Sequence, residues 1–143
     1  MRTVQVAYDV PVPVPVAFGY LADPRNRPEW QSSLRSVELL DEGAPRVGMR
    51  WRDHTSARIV PEMVITAMEQ DVLWAETGRW RGLEADLTLR FGPTAGGTRV
   101  EAGFAVRGRG VLRPLGWAAT GAGLFAIRSD LRKAGRILAG RSS

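Results

Sequence analysis

A chain of 143 residues, 44% hydrophobic and 24% charged, is long enough to bury a sizeable core and too apolar to be disordered by default. It has no cysteine and one histidine, which excludes disulfides and Cys–His dyads and strips a zinc site of its usual ligands, so neither a metal nor another cofactor is expected. The net charge of +5 and pI near 10.9 raise nucleic acid as a partner, but Lys133 is the only lysine and the arginines are scattered along the chain. Without a clustered patch or a basic motif, no nucleic-acid partner is expected.

Val4, Val6, Tyr8 and Val10 recur at period two, so residues 3–10 read as a half-buried strand. The following PVPVPV cannot continue as a central strand, because each proline removes a ladder donor. It hands over to a short apolar helix that begins near Pro15 and ends by Ala22. Asp23 before Pro24 is a good N-cap for a second short helical turn, 24–28, which Pro28 is expected to stop. Residues 36–40, 48–56, 59–68, 72–80, 83–91 and 98–106 read as six further strands. Pro61 argues for an edge position or a bulge near the start of the third of these, and GPTAGG at 92–97 reads as a hairpin loop.

The last two strands alternate most strictly. Leu83, Ala85, Leu87, Leu89 and Phe91 face one way and Glu84, Asp86, Thr88 and Arg90 the other; Val100, Ala102, Phe104 and Val106 repeat the pattern. Strands with one wet face make an antiparallel sheet. Residues 114–139 read as one long helix, with Gly140 just past its end and Gly116, Gly121 and Gly123 weakening its first half. Leu124, Ile127, Leu131, Ala134 and Leu138 form its apolar stripe, which only the inner face of the sheet is large enough to cover. The N-terminal MRTVQVAYDV has no continuous apolar region of the kind a signal peptide needs, and the longest uncharged run, 114–127, is shorter than the roughly 20 residues of a spanning helix. A cytoplasmic protein without stable membrane insertion is the expectation; the oligomeric state stays open.

Strand, two short helices, six strands and a long C-terminal helix is the order of the helix-grip fold. VPVPVPVAFGYLADPRNRPEWQ at 10–31, GMRW at 48–51, WAETGRWRG at 74–82, GGTRV at 96–100 and the closing amphipathic helix resemble the START-like SRPBCC superfamily, and within it bacterial proteins of the polyketide cyclase/dehydratase type. The resemblance spans essentially residues 1–143 as a single domain. It implies an α+β fold in which a seven-stranded antiparallel sheet curves around the C-terminal helix and leaves an apolar cavity between them. It further implies binding or carriage of a hydrophobic or aromatic small molecule, lipid-like or polyketide-like, with a polyketide aromatase/cyclase-type enzyme as the alternative.

The candidate site residues follow from faces. If Arg81-Gly82 is a two-residue hairpin loop, Trp80 lies opposite Leu83, Gly78 opposite Ala85, Glu76 opposite Leu87 and Trp74 opposite Leu89, which turns Trp74, Glu76, Gly78 and Trp80 towards the cavity. The difficulty is Arg81, since a primed turn demands a positive φ there. A carboxylate facing an apolar cavity must pair, take up a proton or meet a ligand; for Glu76 the plainest partner is an arginine from a neighbouring strand. Trp51, Asp53 and Thr55 share one face of their strand, and His54 lies on the other, where it reads as a surface residue. Which face of strands 48–56 and 59–68 lines the cavity stays open.

Five tryptophans, each an apolar body with one N–H to satisfy, suit an amphipathic pocket. The expected ligand-binding set is Trp30, Trp51, Trp74, Glu76, Trp80, Leu87, Phe104, Trp117 and Leu124. If the protein is an enzyme, Glu76, Asp53 or Arg79 is the candidate to assist proton transfer or to stabilise an enolate.

Overall fold

The computed structural model describes residues 4–108 and 113–141, and the side chains of 5–108 and 126–141. The period-two segment forms β1 (Val4–Val10). Pro13 then occupies the N-cap of α1 (Val14–Leu21), one residue ahead of the expected start, with Pro15 in the first turn where its missing N–H costs nothing. The Asp23 carboxylate accepts the Arg25 N–H and caps a 3-10 turn, Pro24–Asn26. Pro28 does not stop the chain there. It sits in the first turn of α2 (Arg27–Trp30), a position proline favours for the same reason.

Six strands follow: β2 (Leu34–Leu39), β3 (Arg50–Thr55), β4 (Glu62–Glu69), β5 (Leu73–Trp80), β6 (Leu83–Thr94) and β7 (Gly97–Gly108). With β1 they make one antiparallel sheet in the order β1-β7-β6-β5-β4-β3-β2. Two expectations about proline are corrected. Pro61 precedes β4, which is an interior strand, and the register shift of β4 lies instead between Ile65 and Ala67. Pro93 lies within β6, because β5 stops pairing at Arg90 and leaves β6 an edge where no donor is needed. GPTAGG is therefore mostly strand. Thr94 pairs with Gly97 around a two-residue turn, and a Cβ at Gly97 would stand 2.2 Å from the Val10 carbonyl oxygen, so only glycine lets this hairpin close over the end of β1.

Both residues of the Arg81-Gly82 turn take positive φ, 45° and 80°. Those are the signs of a type I′ turn, the one whose twist matches the strands it joins. The register is the expected one: Trp80 opposite Leu83, Gly78 opposite Ala85, Glu76 opposite Leu87, Trp74 opposite Leu89.

The long helix α3 (Arg113–Arg141) runs through Gly140 rather than ending before it, and it lies on β1 and β7. Leu131, Ala134 and Leu138 of its stripe are buried, and a Cβ at Gly135 would already touch Tyr8 and Val10. The helix and the inner face of the sheet thus share one core, closed on the other side by α1, where Phe18 meets Phe91 edge to face at 5.1 Å. Among the described residues, no helix is long and apolar enough to cross a membrane.

Candidate functional site

Between the inner face of the sheet, α2 and the second half of α3 lies a cavity of about 340 Å³. Its apolar wall comes from alternating positions of β6 and β7 and from one face of α3: Leu87, Leu89, Phe104, Val106, Ile127 and Leu131. The open question about β3 and β4 is answered by the same lining, since Asp53 and Thr55 of β3 and Met63 of β4 border the space. On the opposite face of β3, His54 and Arg52 reach Glu38 at 3.0 and 3.3 Å, in solvent.

Arg27 sits at the polar end of this cavity. α2 begins with Arg27-Pro28, and the short turn aims the side chain inward, where it is only 4% exposed. Its Nη1 donates to Glu76 Oε1 at 2.5 Å and its Nη2 to Asp53 Oδ2 at 3.1 Å. The two carboxylates are held in turn by indoles: Trp74 Nε1 donates to Glu76 Oε1 at 3.0 Å, and Trp51 Nε1 to Asp53 Oδ1 at 2.9 Å. The guanidinium carbon stands 5.5 Å from the Trp51 ring centre, a cation–π distance. Burial works against the charge on Arg27, but Glu76 and Asp53 more than offset it and hold the guanidinium above its usual range. The partner of Glu76 therefore comes from α2, not from the neighbouring strand that the sequence suggested.

Asp130, on the cavity side of α3, is 6% exposed and accepts from the Ser32 hydroxyl at 2.9 Å and the Ser32 N–H at 3.3 Å. Burial pushes its carboxyl above the usual carboxylate range, against the pull of these two bonds and of Lys133 and Arg27. A buried carboxyl of this kind, in an apolar cavity, can hold or transfer a proton.

The structure sorts the candidate residues into four groups. Trp30, Trp80, Glu76, Leu87, Phe104 and Asp53 border the cavity. Trp51 and Trp74 do not: they pack on each other behind the carboxylates, ring centres 6.3 Å apart, because their N–H groups are engaged in holding Asp53 and Glu76. Arg79 is on the wrong face for the catalytic part proposed for it. One residue from inward-facing Gly78, it projects outward, 69% exposed, to Glu84. Trp117 and Leu124 lie outside the residues whose side chains are described.

Arg27 and Asp130 border the cavity without having been singled out from the sequence. Asp130 had a signal, because it falls three residues after Ile127 and four before Ala134, inside the apolar stripe where an acid is out of place. Arg27 had none, since a four-residue helix carries no periodicity to read. Among the described residues, no three His, Asp or Glu side chains converge as a metal ion would require. A larger depression of about 770 Å³ at the outer rim of β3–β7 is lined by Arg50, Arg79, Arg81, Glu62, Glu84 and Arg107 among others. Arg79 and Arg107 pair there with Glu84, and the depression reads as solvated surface.

Over residues 1–141 the sequence matches the family described as polyketide cyclase/dehydrase and lipid transport. The chain belongs to that family. Structures similar to this family member include protein MLL2253 from Mesorhizobium loti, with a TM-score of 0.77 at 20% identity over 99% of both chains. Ara h 8.0201 aligns with a TM-score of 0.78 at 13% identity, over 97% of this chain and 98% of that one. The di-domain ARO/CYC StfQ from the steffimycin biosynthetic pathway gives 0.77 at 15% identity, over 98% of this chain and 52% of its own. At such identities the likeness is one of fold, and the fold is the helix-grip. No curated protein matches the family member's sequence significantly.

Proposed function

We propose that this family member binds and carries a hydrophobic or aromatic small molecule, lipid-like or polyketide-like, in the cavity between the sheet and α3. The observation that carries the reading is the cavity itself, whose volume of about 340 Å³ is at the small end of the roughly 300–1,000 Å³ usual for small-molecule sites, with apolar walls and a few convergent polar groups. Trp30 and Trp80 on its border would report occupancy. The test is native mass spectrometry of protein purified from its own host, followed by denaturing extraction. A stoichiometric apolar or aromatic mass supports the reading. Empty protein whose tryptophan fluorescence also fails to respond to naphthalene overturns it.

A second reading, an aromatase/cyclase-type enzyme, is favoured by the acid at the cavity wall. Asp130, buried at the cavity wall with its carboxyl shifted above the usual carboxylate range by burial, would give or take the proton of an enolising carbonyl while the apolar walls fold the chain and exclude water. Asp130→Asn is then expected to abolish cyclisation of a linear poly-β-carbonyl thioester while binding persists; unchanged turnover would remove the enzyme reading.

A further inference from the structure

Ala126, Ile127, Asp130 and Leu131 share the face of α3 that borders the cavity. Asp130 breaks that apolar face with a carboxyl only 6% exposed. Both bonds from Ser32 end on its Oδ1. Oδ2 has no partner among the described residues, yet it is not one of the side-chain atoms sealed from the surface, and the space that Asp130 borders is the cavity. Lys133 and Arg27 act on Asp130 through space, but neither forms an ion pair with it. A buried carboxyl held by neutral donors alone is costly to ionise, and a cation arriving beside it offsets that cost.

The rest of the described lining points to the same charge. Its one basic side chain, Arg27, gives Nη1 to Glu76 and Nη2 to Asp53, so a single positive charge already faces two negative ones before Asp130 is counted. An anionic head would meet acids with no free cation. A hydroxyl could donate to Oδ2 but would leave the charge unmatched, whereas a protonated amine brings donors and the missing charge together. The molecule as a whole carries +5, so a general charge effect would favour anions, and a preference for cations has to come from the cavity. The apolar body of such a ligand would lie along Leu87, Phe104 and Leu131.

Resting on the binding reading above, we infer that the cavity selects apolar ligands that carry a protonated amine, with Asp130 Oδ2 as acceptor and counter-ion. The experiment is equilibrium dialysis of the full chain at about pH 7, where an alkylamine is protonated. The ligands are 2-naphthylethylamine, 2-naphthylethanol, 2-propylnaphthalene and 2-naphthylacetate, with wild type and Asp130→Asn, which keeps the shape and an acceptor for Ser32 but loses the charge. The expected result is the amine binding about tenfold tighter than the alcohol or the hydrocarbon, the scale of one hydrogen bond to a charged group, with naphthylacetate weakest. In Asp130→Asn the amine should fall to the level of the alcohol. An alcohol as tight as the amine, naphthylacetate tightest, or an amine that keeps its advantage in Asp130→Asn would each overturn the inference while leaving the cavity a binding site. If none of the four binds wild type, the binding reading fails with it. Should Asp130→Asn not fold, the wild-type order of the four ligands still decides.

Discussion

Glu76 and Glu84 are glutamates on adjacent strands, and each is bridged by arginine. Glu76 meets Arg27 on the inner face, with side chains 2% and 5% exposed; Glu84 meets Arg79 on the outer face, with 22% and 69%. The contact chemistry is the same and the energetics are not. On the outer face each charge keeps water as an alternative partner, so losing the pair costs little. On the inner face Glu76 and Asp53 have no such alternative, and the indoles of Trp74 and Trp51 add neutral donors to them but no compensating charge. Burial, rather than pairing, makes one arginine structural and the other dispensable.

The strongest way to break this comparison is Arg27→Met. It should lower the free energy of unfolding in urea by about 3–5 kcal/mol, because it strands two buried carboxylates. A loss below about 1 kcal/mol would place Arg27 with the surface arginines. Glu76→Gln is milder: the amide oxygen can still accept, but Arg27 loses one of its two anionic partners. A loss of about 1–3 kcal/mol is expected, read in the same unfolding assay.

Asp130→Asn sharpens the comparison through pH. Burial raises the folded carboxyl above its ordinary 3.8, so between that value and the folded one the native state holds more protons than the unfolded chain. Stability contributed by this group therefore falls as pH rises through that window, and above it the charged acid is a standing destabilisation. The variant lacks this fall. Urea unfolding of both proteins from about pH 3 to about pH 7 should show the variant gaining on wild type as pH rises. Parallel curves would mean that Asp130 is not buried as described. The smallest effect is reserved for Arg79→Ala, which should change stability by less than about 0.5 kcal/mol and leave ligand binding unchanged. A larger loss would show that the outer ion pairs carry weight after all.

Much of the site was legible because a sheet has a strict two-residue period. Once Arg81-Gly82 was read as a tight turn, Glu76, Trp80 and Leu87 were assigned to one face, and the register bears that assignment out. The same rule put Arg79 outside, so its candidacy conflicted with the alternation that nominated Glu76. Trp51 and Trp74 were on the right face but at the wrong depth. Facing inward is a matter of parity along a strand, whereas bordering a cavity depends on what stands in front, here Arg27 and the two carboxylates it holds.

The division between sequence and structure is then physical. Alternation in 83–91 and 98–106, the prolines after β1 and the stripe of α3 are local patterns, each repeated over several residues. They were enough to determine the strand order along the chain, the inner face and the helix that covers it, and so the helix-grip architecture. What closes the polar end of the cavity depends on single contacts between residues far apart in the chain: Arg27 with Glu76, 49 positions away, and Ser32 with Asp130, 98 positions away. No local period encodes such contacts. They exist only once the sheet has curved far enough to bring α2 across its inner face, and only the tertiary structure decides which arginine arrives there.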